Sequence, residues 1–273
     1  MSEFLDHPAL QGVLASFAVA LVAAVMLSRT RFTWLAILVG YATVIVLNGG
    51  FSFSPLTATR KIMLLGLVAP FVGIAADLLP RSERAKTVVL CIASGLAAVW
   101  VFASVLAQRD EADAYATAAG IALFVAALVA LVLPLRTDGL RTGVAGLGLG
   151  VATGVSAVVS ASVGFLIAGM ALAASAGAAL LVREFLRRKL PAGYTGALPI
   201  ALLAALFATG TAMLALLPWF ALPLLLLVPA VARLPVPVRG PAVLRSALLS
   251  LYALAAAAGP IIAAWYAARQ ALT

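Results

Sequence analysis

Long apolar runs follow one another along almost the whole chain, and they leave few folds open to it. The runs are rich in Ala, Leu and Val and roughly 15–23 residues long, close to the length that a helix needs to cross a bilayer. Inside a bilayer the backbone must satisfy its own hydrogen bonds, as only helices and closed barrels do. Barrel strands would give short alternating patterns. The sequence therefore predicts an all-α, polytopic transmembrane helix bundle.

The composition is that of a chain whose solvent is lipid. Of the 273 residues, 65% are hydrophobic and 10% are charged, whereas about a quarter of the residues in a soluble domain are charged. No loop is long enough to fold alone, so residues 1–273 are predicted to form a single integral membrane domain. Glu3 and Asp6 precede the first apolar run without any Lys or Arg, which does not fit a cleaved secretory signal. We therefore expect this run to be retained as a membrane helix.

The spacing of the apolar runs predicts ten transmembrane helices. Two of the divisions depend on short interruptions, because the stretch 141–182 is too long for one crossing and 197–232 is divided at Pro218. The first of these stretches is expected to turn near Ser160 and Ser162. The predicted helices lie at about 9–27, 32–47, 62–79, 87–107, 114–134, 141–158, 161–182, 197–217, 219–232 and 243–267.

Basic residues are concentrated in alternate loops, and this asymmetry predicts the orientation. The positive-inside rule assigns the more basic set of loops to the cytoplasm. Both termini then lie outside the cytoplasm, in agreement with an even number of helices, and the expected location is a bacterial inner membrane. The cytoplasmic set is Arg29, Arg31, Arg81, Arg84, Lys86, Arg136, Arg141, Arg183, Arg187, Arg188, Lys189, Arg233, Arg239 and Arg245.

The net charge of +9 does not predict a nucleic-acid partner. The basic residues sit in short loops between apolar runs, where they orient the chain and meet anionic lipid headgroups. The predicted partners are membrane lipids, together with further copies of this chain or other membrane subunits. Contact with anionic lipid is predicted for the most basic loop, at Arg183, Arg187, Arg188 and Lys189.

Ten helices divide into two sets of five, and two such sets run in opposite directions, as in inverted-repeat transporters. The pseudo-repeats would be residues 1–135 and 136–273. The second loop is the long one in each half, at about 48–61 and about 183–196. No residue identity links the halves, and any ten-helix chain divided in this way gives inversion.

Glycines spaced four apart mark two adjacent predicted helices. Such glycines share a helix face and let two backbones approach closely, so we expect these helices to pack tightly together. A glycine-lined passage and a seam between copies of the chain are the alternatives. The glycines are Gly146, Gly150 and Gly154 in 141–158, and Gly169 and Gly177 in 161–182.

Three kinds of residue are candidates for a substrate path. The loop from Asn48 combines hydroxyls, aromatic rings and a basic pair, which fits a re-entrant gate or, alternatively, an interfacial anchor. Prolines free backbone carbonyls, as in the broken helices that line transporter cavities. Threonines beside Gly210 could contact a solute or hydrogen-bond to their own helix. The candidates are Asn48, Ser52, Ser54, Arg60, Lys61, Pro70, Thr209, Thr211 and Pro223.

The sequence predicts no cofactor and no metal site. The chain has one histidine, His7, and one cysteine, Cys91, which excludes a bis-His haem, a multi-His metal site and a disulfide within the chain. Carboxylates are almost missing from the apolar runs, and a proton pump would need one at depth. The exception, Asp77, lies near the end of its run and is expected to pair with Arg81 or Arg84.

Three functions remain open at this point. The predicted helices, prolines and inverted halves favour a transporter or channel for a small solute or lipid. The lack of intramembrane chemistry fits a non-catalytic subunit of a larger membrane complex. The basic loop at 183–189 would suit a lipid-modifying enzyme that holds phosphate headgroups, although nothing resembles a nucleophile with its base. The sequence does not favour an enzyme.

Overall fold

A computed structural model describes residues 8–30, 32–47, 50, 54, 56–80, 82–186, 191–235 and 242–270. Throughout this part of the chain the regular structure is helical. Short 3₁₀ turns at Thr33–Leu35 and Leu133–Thr137 precede two of the α-helices. The α-helices are α1 (Pro8–Leu27), α2 (Ala36–Leu47), α3 (Ala58–Leu78), α4 (Glu83–Leu106), α5 (Glu111–Val132), α6 (Gly139–Val159), α7 (Val163–Phe185), α8 (Gly193–Leu214), α9 (Ala221–Leu225), α10 (Leu227–Val231) and α11 (Ala242–Gln270).

Within the described residues, eight helices are long and apolar enough to cross a membrane. Two shorter apolar stretches, Thr33–Leu47 and Ala221–Val231, coincide with the second and ninth predicted helices. The predicted class, an all-α bundle of a multi-pass membrane protein, is confirmed. The count of ten crossings, the orientation of the termini, the single-domain assignment and the pseudo-repeats stay predictions.

Several helices begin earlier than the apolar pattern predicts, because their first turns are polar and capped. The side chain of Thr57 accepts a hydrogen bond from the Arg60 nitrogen at 3.4 Å and starts α3. Ser82 does the same for α4, with a bond of 3.3 Å from the Ala85 nitrogen. Such caps satisfy backbone N–H groups that the helix itself leaves free. The predicted starts at about 62 and about 87 were therefore about one turn late.

The long stretch 141–182 turns where the sequence predicts. Ala161 has a φ of 62°, in the left-handed region, and joins α6 to α7. The nitrogen of Ser162 closes the turn by donating to the carbonyl of Ala157 at 2.8 Å. The two helices then run back against each other.

Glycines bring the backbones of α6 and α7 into contact. A Cβ atom at Gly150 would lie 2.7 Å from the Cα of Ala173, and one at Gly169 would lie 2.6 Å from the nitrogen of Gly154. Gly177 differs, because a Cβ there would make an ordinary contact at 3.8 Å with Leu147. Close packing of the pair thus depends on the turn-proximal glycines.

The segment from Leu216 to Ala232, which contains the short helices α9 and α10, extends from one end of α6 to the other. The nitrogen of Leu216 donates to the Ser160 carbonyl at one end of α6, at 3.4 Å. Arg141, at the other end, donates to the Ala232 carbonyl at 3.2 Å. Between these points the helical part of the segment is divided into α9 and α10, because Pro223 and Pro229 lack the N–H that a continuous helix needs.

The helix α8 forms the centre of the bundle and is buried along almost its whole length. It packs antiparallel to α3, since Gly210 lies against Ile62 and Gly73 lies against the backbone of Tyr194. The helices α5, α6 and α7 also pack against α8. The bundle therefore has two distinct ends, and the α3–α8 pair extends from one to the other.

We call one end the basic end, because it carries Arg136, Arg141, Arg183 and Arg233. There the nitrogen of Ala192 donates to the Arg136 carbonyl at 2.9 Å. The other, the opposite end, carries the α6–α7 turn and the start of α3. The four arginines at the basic end belong to the loops that the sequence predicts to be cytoplasmic.

Candidate functional site

A cavity of about 290 Å³ lies at the opposite end of the bundle. Four helices form its wall, and two exposed residues, Thr59 and Gly164, stand at its mouth. Its volume is about twice that of an apolar cavity known to hold a benzene molecule. The wall consists of Tyr41, Val44, Ile45, Thr59, Ile62, Met63, Ser162, Gly164, Phe165, Ala168 and Phe207.

Three aromatic rings from three different helices form the inner part of the cavity. The ring centre of Phe207, on α8, lies 6.0 Å from that of Tyr41 and 6.4 Å from that of Phe165. These separations are within the range in which aromatic rings attract one another. The rings therefore brace one another and hold the shape of the cavity wall.

Two glycines provide the space that these rings occupy. A Cβ atom at Gly66 of α3 would overlap the ring of Tyr41 and lie 2.6 Å from Leu203. A Cβ at Gly210 of α8 would lie 2.6 Å from the Cζ of Phe165. A larger residue at either position would therefore force an aromatic ring of the cavity wall to shift.

The polar groups of the cavity are hydroxyls. Tyr41 is 2% exposed, and its hydroxyl forms no hydrogen bond with any residue that the structure describes. Thr59 and Ser162 add hydroxyls nearer the mouth. The wall, as far as the described residues form it, holds no charged side chain. A buried polar group without a partner is costly, so a molecule in the cavity that hydrogen-bonds to the Tyr41 hydroxyl would lower this cost.

At the basic end, Asp77 of α3 caps the start of α8. Its Oδ1 accepts a hydrogen bond from the Tyr194 nitrogen at 2.9 Å, and its Oδ2 accepts two from Thr195, from the nitrogen at 3.0 Å and from the hydroxyl at 2.7 Å. A carboxylate is favourable here because free N–H groups and the positive end of the helix dipole meet it. The partner of Asp77 is thus α8, not Arg84 as the sequence suggested; Arg81 lies outside the described residues.

Gly193 lets this carboxylate approach. Its φ of +63° is in the left-handed region, and a Cβ atom there would lie 2.6 Å from the Oδ2 of Asp77. Glycine has no Cβ, so it adopts this φ and leaves room for the carboxylate at no steric cost. A second cavity, of about 210 Å³, adjoins Asp77, Gly193 and Thr195. Each end of the α3–α8 pair therefore borders a cavity.

Glu83, at the start of α4, joins its own helix to two other elements at the basic end. It accepts hydrogen bonds from Arg136 at 2.5 Å, from Lys86 at 2.8 Å and from the Tyr194 hydroxyl at 3.0 Å. The Arg136 guanidinium also lies 4.5 Å from the centre of the Tyr194 ring. Glu83 itself is more than half exposed, so each ion pair adds little alone. Together the contacts connect α4, the Leu133–Thr137 turn and α8.

Arg183, one of the predicted contacts for anionic lipid, is mostly buried and faces carboxylates of its own chain. It lies 2.5 Å from Glu184 and 3.6 Å from Asp138. Its charge is therefore compensated internally. The other three predicted contacts, Arg187, Arg188 and Lys189, lie outside the described residues.

The predicted path residues that the structure describes do not come together in the cavity. Thr209 and Thr211 are buried and donate to the carbonyls of Ala205 and Phe207 in their own helix. Lys61 donates to the Trp100 carbonyl at 3.1 Å, with its ammonium group 4.9 Å from the indole centre.

The remaining path candidates are dispersed. Pro70 is buried inside α3, whereas Pro223 is exposed in α9. Arg60 lies in the first turn of α3, and Ser54 lies between α2 and α3. Asn48 and Ser52 lie outside the described residues.

The residues that build the cavity were missed from the sequence. Phe165 and Phe207 are the single aromatic residues of their predicted runs, and Tyr41 shares a third run with Phe32 and Trp34. Packing explains all three equally well. Their one distinguishing signal is the hydroxyl of Tyr41, which is expensive to bury in an otherwise apolar helix.

Among the described residues there is no group of three or more His, Cys, Asp or Glu that could hold a metal ion. A scan of protein-family models and a search of curated proteins each gave no match for this chain. Function has to be inferred from the cavity and from the contacts at the basic end.

Proposed function

We propose that this protein is a transporter for a small, uncharged solute or lipid-like molecule. The observation that carries the proposal is the asymmetry of the α3–α8 pair. A cavity of about 290 Å³ adjoins it at the opposite end. At the basic end, beside a smaller cavity of about 210 Å³, side chains of α3 and α4 bind the start of α8. A transporter that is open to one side and closed to the other has such an arrangement.

Prolines in both central helices support this proposal. Pro70 lies inside α3, and Pro199 lies inside α8, although both helices are continuous. Each lacks an N–H and so leaves a carbonyl of the preceding turn without its helical partner. Transporters use free backbone carbonyls of central helices at their binding sites. A channel is less well supported, because the contacts at the basic end close the path beside α8.

Transport requires the contacts at the basic end to open, and this is testable by cysteine labelling. Ala168→Cys, in a Cys91→Ala background, introduces a thiol into the cavity. A membrane-impermeant maleimide should modify this thiol from the side of the opposite end. When Asp77→Asn and Glu83→Gln are added, labelling should fall from that side and rise from the side of the basic end. Right-side-out and inverted vesicles give the two rates.

The matched control is Ile92→Cys in the same background, because Ile92 is exposed on the outer surface of α4. This thiol should stay unlabelled from both sides in every variant, which verifies that the reagent does not enter the bilayer. Cavity labelling confined to one side in all variants would contradict the transporter proposal.

The subunit hypothesis makes a different prediction. A subunit would co-purify with other chains in fixed stoichiometry when extracted gently, and native mass spectrometry would detect that. Under the lipid-modifying hypothesis, Arg183 would have to exchange its ion pairs with Asp138 and Glu184 for a phosphate headgroup.

A further inference from the structure

We infer that the cavity at the opposite end binds an uncharged aromatic ring compound that carries one hydroxyl or carbonyl group, and that Tyr41 holds this group. The inference names the class of solute and rests on the proposed transporter for its physiological meaning. Binding itself is a property of the cavity and can be measured without any flux.

The size of the cavity limits the ligand. A volume of about 290 Å³ is about twice that of an apolar cavity which takes up one benzene ring. A two-ring compound therefore fits, whereas a whole phospholipid does not.

The wall determines the chemistry. Phe165, Phe207 and the ring of Tyr41 offer aromatic contacts to a flat ligand. No charged residue among the described wall residues could neutralise an ionised ligand, and an unpaired charge in such surroundings is very costly. The ligand should therefore be aromatic and neutral.

The Tyr41 hydroxyl sets the polar requirement. It can donate one hydrogen bond and accept others, and within the described part of the chain it does neither. A hydroxyl or carbonyl group of the ligand would supply the missing hydrogen bond. The position of Gly66 against the Tyr41 ring fixes that ring in the wall, so the hydroxyl is presented at a defined place.

Three compounds of nearly equal size separate these requirements. They are 2-naphthol, which is neutral at pH 7 and has one hydroxyl, 2-methylnaphthalene, which has no polar group, and 2-naphthoate, which is an anion. Saturable binding of each is measured to the full-length protein in nanodiscs, with empty nanodiscs to subtract partition into lipid. We expect 2-naphthol to bind most tightly and 2-naphthoate to bind at least about 100-fold more weakly.

Tyr41→Phe tests the hydrogen bond while keeping the ring. It should weaken 2-naphthol binding about 3- to 10-fold, the range for one neutral hydrogen bond, and leave 2-methylnaphthalene unchanged. Ala168→Trp should fill the cavity and abolish binding of both. Leu123→Trp, on the outer surface of α5, is the matched control and should bind like the wild type.

Two results would overturn the inference. Equal affinity of wild type and Tyr41→Phe for 2-naphthol would mean that Tyr41 holds no ligand group, as when a water molecule satisfies it. Undiminished binding to Ala168→Trp would locate the compounds elsewhere. If the compounds bind specifically but cysteine labelling stays one-sided, the binding site is supported and the transporter proposal is rejected. If labelling is two-sided but the compounds do not bind, only this class of ligand is rejected.

Discussion

At the scale of single residues, Asp77 is the side chain whose role is most sharply defined. Its carboxylate accepts three hydrogen bonds from the first turn of α8. We expect Asp77→Ala to lower the free energy of unfolding by about 1 kcal/mol, the usual loss for a helix cap. Asp77→Asn should lose less, because it keeps one acceptor oxygen. Thermal unfolding in detergent measures both.

A matched carboxylate provides the control for this prediction. Asp110 immediately precedes α5, but its side chain makes no capping hydrogen bond. Asp110→Ala should therefore leave the unfolding temperature almost unchanged. If Asp77→Ala and Asp110→Ala had the same effect, general surface charge and not the cap would explain the stability of the basic end.

Sequence could not assign the partner of Asp77, and the reason is physical. Arg81 and Arg84 are near in the chain, whereas Thr195 is 118 positions away. Local spacing indicates only which groups can meet within one turn or loop. The orientation of α3 and α8 decides which distant backbone N–H groups actually face the carboxylate.

At the scale of helices, the contact between α6 and α7 depends on glycine. A methyl group at Gly150 would meet the backbone of Ala173, so Gly150→Ala should force the helices apart. We expect a loss of about 1–3 kcal/mol in the free energy of unfolding, as for overpacked cores. Thermal unfolding of the variant in detergent would measure this loss.

Gly120→Ala is the matched control, because a Cβ at Gly120 of α5 has no neighbour within 4 Å. Removing a flexible glycine from a helix should there be neutral or stabilising. Equal stabilities of Gly150→Ala and Gly120→Ala would show that the α6–α7 backbones are not in tight contact.

Helix positions could be predicted well from the sequence, but helix neighbours could not. The apolar runs in the sequence predict the ten stretches and the turn near Ser160, because long runs of apolar residues need lipid around them. In a soluble helix a polar face marks the outside, whereas here lipid-facing α1 and central α8 are both apolar all round. The sequence therefore lacks the signal that would assign Tyr41, Phe165 and Phe207 to one cavity.

At the scale of the whole molecule, the segment between α8 and α11 determines how many times the chain crosses. It follows α6 from the Ser160 carbonyl to Arg141, although neither α9 nor α10 could span a bilayer alone. A segment that traverses the bundle puts its two ends on different sides of the membrane. A re-entrant segment would return both ends to the same side.

Two exposed leucines distinguish these topologies in the intact protein. Leu216→Cys lies before the segment and Leu234→Cys lies after it, each in a Cys91→Ala background. An impermeant maleimide added to whole cells should label Leu216→Cys at once and Leu234→Cys only after permeabilisation, because Arg233 belongs to the basic end and basic loops stay in the cytoplasm. Labelling of both in intact cells would make the segment re-entrant and the number of crossings odd. The predicted inverted halves would then lose their basis.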